Sequence, residues 1–343
     1  MKNTLKKRSF ELLVVSFLFT LLIFSDETMT LAGTGLLIWY QKMIPSLFPF
    51  MVLSGFLVKS GLANRFSRYL RPLLGLFFPL PDSMLYAIFM GFLCGFPMGA
   101  KVVADLLESR QISPRQGEYL LAFCNNIGPL YMTGYVLPLF NPEDPIRLLF
   151  IFYGVPLLYG CFLQFSSAYK KSILASSMNS YSFMNRDHFS STRHEAHGEK
   201  VPPSGNYLLS FREALENALT QITLLGGCMV FFNCLQIYPR MIKMVLPVGI
   251  QQLYEDYFFA PLCSLLEIGG GLKLMAEQAA GSIASGQENG SFPLFPALLT
   301  LGGLSCIMQT LFIIKGTGLS IGNYLKHKLV HVSLILLLSF LWS

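Results

Sequence analysis

Long apolar runs, each interrupted or closed by a few polar residues, set the pattern of this chain. They fall at about 9–25, 31–58, 73–100, 118–139, 147–168, 215–238, 257–280, 294–315 and 329–342. Most are long enough, at 1.5 Å per residue, to cross a hydrocarbon layer about 30 Å thick as helices. Nothing alternates with period two for long enough to suggest a membrane barrel. The interval 168–205, rich in Ser, Asn, Arg and His with a Pro-Pro near its end, reads as a solvated linker between two membrane halves. The expected organisation is an N-terminal transmembrane helix (1–30), a first membrane half (31–167), a cytoplasmic linker (168–205) and a second membrane half (206–343). The opening MKNTLKKRSF and the apolar run after it look like a signal peptide. No small-x-small cleavage site follows Phe24, so the segment reads as an uncleaved first helix.

Composition agrees with the pattern. The chain is 53% hydrophobic and 13% charged, with mean hydropathy +0.52; soluble domains carry about 25% charged residues. The net charge of +6 is concentrated in short basic runs between the apolar stretches, as cytoplasmic loops require. No basic run is interleaved with stacking aromatics, so nucleic acid is not an expected partner. The seven cysteines, Cys94, Cys124, Cys161, Cys228, Cys234, Cys263 and Cys306, lie in apolar segments without a CxxC pair and read as small buried hydrophobes.

The basic residues also give a topology. Lys2, Lys6, Lys7 and Arg8 put the N-terminus inside, Lys59, Arg65, Arg68 and Arg71 mark the next inner loop, and Lys315, Lys326 and Lys328 land inside after 294–315. The loop with Lys101, Arg110 and Arg115 lies inside only if 73–100 enters and leaves on one side. PLP (79–81) and GFPMG (95–99) supply breaks suited to such a re-entrant hairpin. Residues 240–256 look amphipathic and interfacial, and 257–280 holds a second glycine break, LLEIGGGLKLM; Arg240 and Lys243 on the outside run against the charge rule. The halves align in order: PSLFPFMVLSGFLV with ALTQITLLGGCMVFF, GFPMGAKVVADL with EIGGGLKLMAEQ, and LLAFCNNIGPLYMTGYV with LLTLGGLSCIMQTLFII. The fold class is therefore an all-α polytopic membrane protein of two inverted halves with re-entrant hairpins.

A helix broken at mid-membrane exposes free N–H groups and a positive dipole end, both natural anion ligands. Gly95, Pro97 and Gly99 break the first hairpin; Gly269, Gly270 and Gly271 break the second. Lys101 and Lys273 follow these breaks and either attract an anionic substrate or snorkel to headgroups. Asn125 and Asn126 precede Gly128–Pro129, where a polar pair coincides with a break; they form a ligand site or bond between helices. Glu267 either couples transport to protons or pairs with Lys273, and Gln309 is a further polar residue of the second half. Asp105 and Glu108 read as a solvated face. His188, His194 and His197 cluster in the linker, but HEAH is not the HExxH zinc motif, and no metal or cofactor is expected. No GxSxG, P-loop or GxGxxG motif is present, and nothing points to an enzyme.

PSLFPF, GFPMGAK and ISPRQGEYLLAFCNNIGPLY, followed by LLEIGGG (265–271) and GGLSCIMQ (302–309), resemble the YlbJ-type sporulation integral membrane proteins. These carry the nucleoside-recognition, or Gate, domain, and the resemblance spans about 30–325. It implies Gate-like halves, a multi-pass protein of the cell membrane, specifically the outer forespore membrane, and movement of dipicolinic acid, a small planar aromatic dianion, during endospore formation. The implied partners are a small anionic substrate and membrane lipid, with a homo-oligomer or a sporulation membrane complex as a further expectation. A nucleoside or other metabolite transporter on the same scaffold, or a non-transporting sporulation scaffold, are the alternatives.

Overall fold

The computed structural model describes residues 2–166, 169, 206–285 and 294–341. The expected linker, with His188, His194 and His197, lies outside the described residues except for Tyr169. No strand occurs among the described residues. Five helical runs are long and apolar enough to cross a membrane: Ser25–Lys59, Pro145–Leu163, Tyr207–Val245, Phe295–Ile314 and Ile321–Leu341. Their outward faces carry large apolar side chains such as Leu37, Leu53, Phe150, Leu158, Leu224 and Leu337, the surface a lipid-facing helix needs.

α1 (Lys2–Ile23) is followed, after Phe24, by α2 (Ser25–Ile38), which runs through a π-helical turn at Trp39–Met43 into α3 (Ile44–Lys59). α4 (Ala63–Leu74), α5 (Asp82–Cys94) and α6 (Met98–Glu108) come next. α7 (Pro114–Cys124) opens with a capping box, in which Ser113 Oγ accepts from Gln116 N and Gln116 Oε1 accepts from Ser113 N. After the break at 125–128, α8 (Pro129–Tyr131), a π turn at Met132–Val136 and α9 (Leu137–Phe140) complete that segment. α10 (Pro145–Leu163) starts on Asp144, whose carboxylate accepts from Arg147 N, with Pro145 at the first position, where a missing N–H costs nothing.

The second half opens with α11 (Tyr207–Cys234), 28 residues long. α12 (Ile237–Val245) and α13 (Val248–Tyr254) occupy the stretch read from sequence as amphipathic, and a π turn at Glu255–Phe259 leads to α14 (Ala260–Leu266) and α15 (Ile268–Ser285). α16 (Phe295–Leu301) and α17 (Gly303–Ile314) meet at Gly302, and α18 (Ile321–Leu341) ends the described chain.

α2–α3 and α11 lie antiparallel along their lengths. A methyl at Gly35 would meet Asn233, one at Gly226 would meet the Trp39 ring, and one at Gly55 would lie 3.3 Å from Ala214 Cβ. Lys59 Nζ bonds Glu213 Oε2 at 2.7 Å at one end, and Trp39 Nε1 donates to Ile222 O at 2.9 Å in the middle. Small residues at such crossings let backbones approach where no hydrophobic force drives helices together. The two stretches aligned as equivalents in sequence, 45–58 and 218–232, thus run in opposite directions.

α5 and α6 reverse on one another. Methyls at Gly91 and Gly99 would lie 2.5 and 2.3 Å from the same atom, Cys124 O, whereas eight residues of continuous helix separate two positions by about 12 Å. Ser83, at the start of α5, reaches Gln111 O just past α6. Gly95 makes the turn with φ +78°, a conformation that favours glycine. α14 and α15 reverse in the same way: a methyl at Gly271 would strike Ser264 Cα at 2.2 Å, and Gln278 Nε2 donates back to Glu255 O at 2.7 Å. The open end of the first hairpin lies toward Lys59 and Glu213, since Tyr86 OH bonds Ser54 O while the turn residue Phe96 borders Met43 and Leu47. The open end of the second lies toward the far end of α11, since Asn233 meets its turn and Pro239 O accepts from Tyr254 OH. The two turns face each other.

Candidate functional site

Each turn is gripped by a broken helix of its own half. The Gly95 turn crosses the 125–128 break so closely that a methyl on Gly95 would lie 2.1 Å from Gly128 N, and one on Gly128 would lie 2.4 Å from Cys94 O. Phe96 N donates to Asn126 O, a backbone bond between the two breaks. In the second half a methyl on Gly303 would lie 2.8 Å from Ser264 O. Gly302 and Gly303 both have positive φ, 80° and 73°, so this break is written in the glycine pair, as sequence reasoning did not foresee. The two systems touch where Gly302 meets the Phe96 ring and where Tyr135 OH donates to Gly269 O at 2.8 Å.

A cavity of about 30 Å³ lies at this junction, walled mainly by apolar groups including Phe96, Ile127, Ile268 and Cys306. Its polar groups are Glu267, Gln309 and Tyr131. The Tyr131 hydroxyl is buried without a hydrogen-bond partner. Such a volume takes one or two water molecules.

Glu267 is 2% exposed. It caps α15: Oε2 accepts from Gly270 N at 2.7 Å and from Asn233 Nδ2 at 3.1 Å. The amino end of the second half-helix therefore already holds a carboxylate, the chain's own. Asn233 is completed by Gln236, whose Nε2 donates to Asn233 Oδ1 at 3.3 Å. Neither Asn233 nor Gln236 was picked out from sequence: they lie three residues apart near the end of one apolar stretch, with no glycine or proline between them to mark a break.

In the first half the amino end of α6 is likewise satisfied internally. Asn125 Oδ1 accepts from Ala100 N at 3.3 Å, and its Nδ2 donates to Thr310 Oγ1 and Tyr324 OH, both at 3.1 Å. Asn125 thus ties the first half to α17 and α18. Asn126 Nδ2 bonds Phe123 O, and its Oδ1 accepts from Lys328 Nζ at 3.2 Å. Gln309 Nε2 donates to Ser305 Oγ at 3.0 Å. Gly95, Pro97, Gly99, Gly128 and Pro129 form the crossing of the first two breaks, and Gly128 reaches the cavity wall.

Neither Lys101 nor Lys273 lines the cavity. Lys101 does not turn to the cavity: its ammonium bonds Asp105 one helical turn on, and Asp105 is largely buried rather than part of a solvated face; at i,i+4 the pair neutralises itself. Lys273 neither pairs with Glu267 nor joins the site. Its side chain is 52% exposed, with Nζ 3.9 Å from Glu277 Oε1. Five residues past the cavity-lining Ile268, it lies about 140° round α15.

Lys328 is a buried lysine beside the first turn, its Nζ 5.2 Å from the Phe96 ring centroid. Sequence reading set it with Lys326 as an inner-loop residue and began the last helix at 329. α18 instead begins at Ile321, and Lys328 is 2% exposed. It belongs to a buried stripe, Tyr324, Lys328, His331 and Ile335, on a helix that otherwise shows Leu329, Val330, Leu334 and Leu337 outward. The spacing of four, three and four is the signal that would have found it.

Fold and site together define a polytopic helical membrane protein with two facing broken hairpins around a small, mainly apolar cavity that Glu267 and Gln309 also line. Residues 40–143 match the family described as Gate, nucleoside recognition, the stretch that carries GFPMGAK and FCNNIGPLY. The chain is also 33% identical, over 134 residues, to the sporulation integral membrane protein YlbJ of Bacillus subtilis strain 168. That alignment takes in 39% of this chain and 32% of the relative, so the chain matches about a third of the relative's length. The resemblance read from the first-half motifs is borne out over this region; the motifs of the second half lie outside the Gate match. No solved structure matches.

Proposed function

We propose that this protein carries a small organic anion across a membrane, and that the junction of the two hairpin turns is where the anion binds. The observation that carries the reading is Glu267: a buried carboxylate bound to half-helix amides at the wall of a cavity between two facing chain reversals. A carboxylate group of a substrate would suit the same amides. Protonation of Glu267 would remove its charge and loosen its hold on Gly270 N, so that substrate and proton bind together. The small cavity then corresponds to the closed arrangement, and the hairpins part to admit the anion. The antiparallel course of α2–α3 and α11 and the opposed openings of the hairpins support two inverted halves whose hairpins enter the bilayer from opposite faces.

The YlbJ-type resemblance suggests dipicolinic acid as the anion and the outer forespore membrane as the place, and a planar aromatic dianion suits paired half-helix ends. The description of the Gate family favours a second reading, in which a nucleoside occupies the same junction. Uptake of radiolabelled dipicolinate into vesicles holding the purified protein, with and without an imposed proton gradient, tests the first reading. Uptake that the gradient enhances and that excess nucleoside leaves unaltered is expected. Uptake no greater than in empty vesicles would contradict it, and nucleoside uptake alone would favour the second.

A further inference from the structure

Lys328 is buried with no carboxylate within ion-pair reach among the described residues. Its Nζ donates to one neutral oxygen, Asn126 Oδ1 at 3.2 Å, and stands 5.2 and 5.8 Å from the ring centroids of Phe96 and Tyr324. An ammonium has three donors, and here one is used by a protein acceptor. Cation–π contacts offset only part of the desolvation penalty of a buried ion. Three residues further along the same face, His331 is 0% exposed, and neither of its ring nitrogens has a partner. The Tyr159 ring packs edge-on against it, centroids 4.8 Å apart. His327, the next titratable group on this helix, is already engaged by Tyr159 OH at 2.7 Å and Tyr169 OH at 3.3 Å. Two adjacent buried nitrogen bases therefore hold unused hydrogen-bonding capacity beside Phe96, which itself lines the cavity.

We propose that Lys328 and His331 form a carboxylate-binding site, the cationic pole of the transport site. An incoming carboxylate displaces Asn126 Oδ1 from the ammonium and takes a second hydrogen bond from the His331 ring. Glu267 and Lys328 then lie at opposite poles of the junction, one giving up helix amides and the other supplying charge, and a dicarboxylate engages both. The assignment rests on the anion-transport reading and narrows it to carboxylates.

Equilibrium binding of radiolabelled pyridine-2,6-dicarboxylate to the full chain in lipid nanodiscs tests this, with melting temperature measured on each sample. A charged hydrogen bond to a carboxylate is worth about 1.5–3 kcal/mol, so Lys328→Met should weaken binding by roughly tenfold to a hundredfold. Lys326→Met, on the exposed side of α18, should bind as wild type. Asn126→Asp is the variant that separates binding from folding. It gives Lys328 a permanent carboxylate partner, so affinity should fall by at least about tenfold while the melting temperature holds or rises. Folded Lys328→Met or Asn126→Asp protein that binds like wild type would overturn the assignment and leave anion transport standing. Wild-type protein that binds no dicarboxylate would overturn both.

Discussion

Single residues decide how closely the two breaks of the first half can cross. Gly95 and Gly128 leave no room for a methyl against Cys94 O and Gly128 N; Gly95 also needs its positive φ. Gly128→Ala should therefore lower stability by about 1–3 kcal/mol or more, the usual cost of overpacking a tight crossing. Gly134→Ala, where a methyl meets nothing within 4 Å, should leave stability unchanged, and thermal unfolding in detergent would compare the two. Glu267 sets a different kind of requirement. Glu267→Gln keeps an acceptor for Gly270 N but has no proton to exchange. The variant should insert normally and take up anion at a rate indifferent to a proton gradient; uptake that still follows the gradient as in wild type would remove Glu267 from the coupling step.

At the scale of elements, the reversal of α5 on α6 and of α14 on α15, and the antiparallel pairing of α3 with α11, arrange the site. Cβ positions at Gly55 and Ala214 lie 3.3 Å apart, near the separation of about 3.5–4.5 Å found across disulfides. In an otherwise cysteine-free chain, Gly55→Cys with Ala214→Cys should cross-link on mild oxidation and hold the halves together after proteolysis between residues 170 and 205. Halves that separate on a non-reducing gel would refute the pairing. The breaks themselves were legible in sequence because their causes are local: Gly95 and Pro97 sit at one observed interruption, Gly128 at another, and the 269–271 triplet just after a third, at Glu267; Pro49, Pro72 and Pro156, by contrast, stand inside helices. The partners of the polar residues were not legible. Lys101 finds Asp105 on its own helix, whereas Asn125 finds Tyr324, 199 residues away, and Asn126 finds Lys328, 202 residues away. Those meetings depend on how α18 is rotated against the first half, which packing decides. The KHK run at 326–328 looked like a landing site at the membrane surface, and only the helical spacing through His331 and Ile335 betrays an inward face.

For the molecule as a whole, a carboxylate and an ammonium are buried near one cavity between opposed chain reversals, inside a bundle whose outer faces are apolar. Keeping such groups within a membrane protein is costly, a cost that the proposed transport site would explain. The central claim is that both hairpins enter and leave the bilayer on one side each, from opposite faces. Membrane-impermeant thiol labelling of single cysteines, at Leu76 and Arg110 for the open end of the first hairpin and at Val248 and Gly281 for that of the second, tests it directly; all four positions are exposed. The account predicts that Leu76 and Arg110 label only from the cytoplasmic side, and Val248 and Gly281 only from the other. Labelling of Leu76 and Arg110 from opposite sides would make 82–108 a plain crossing and contradict the account.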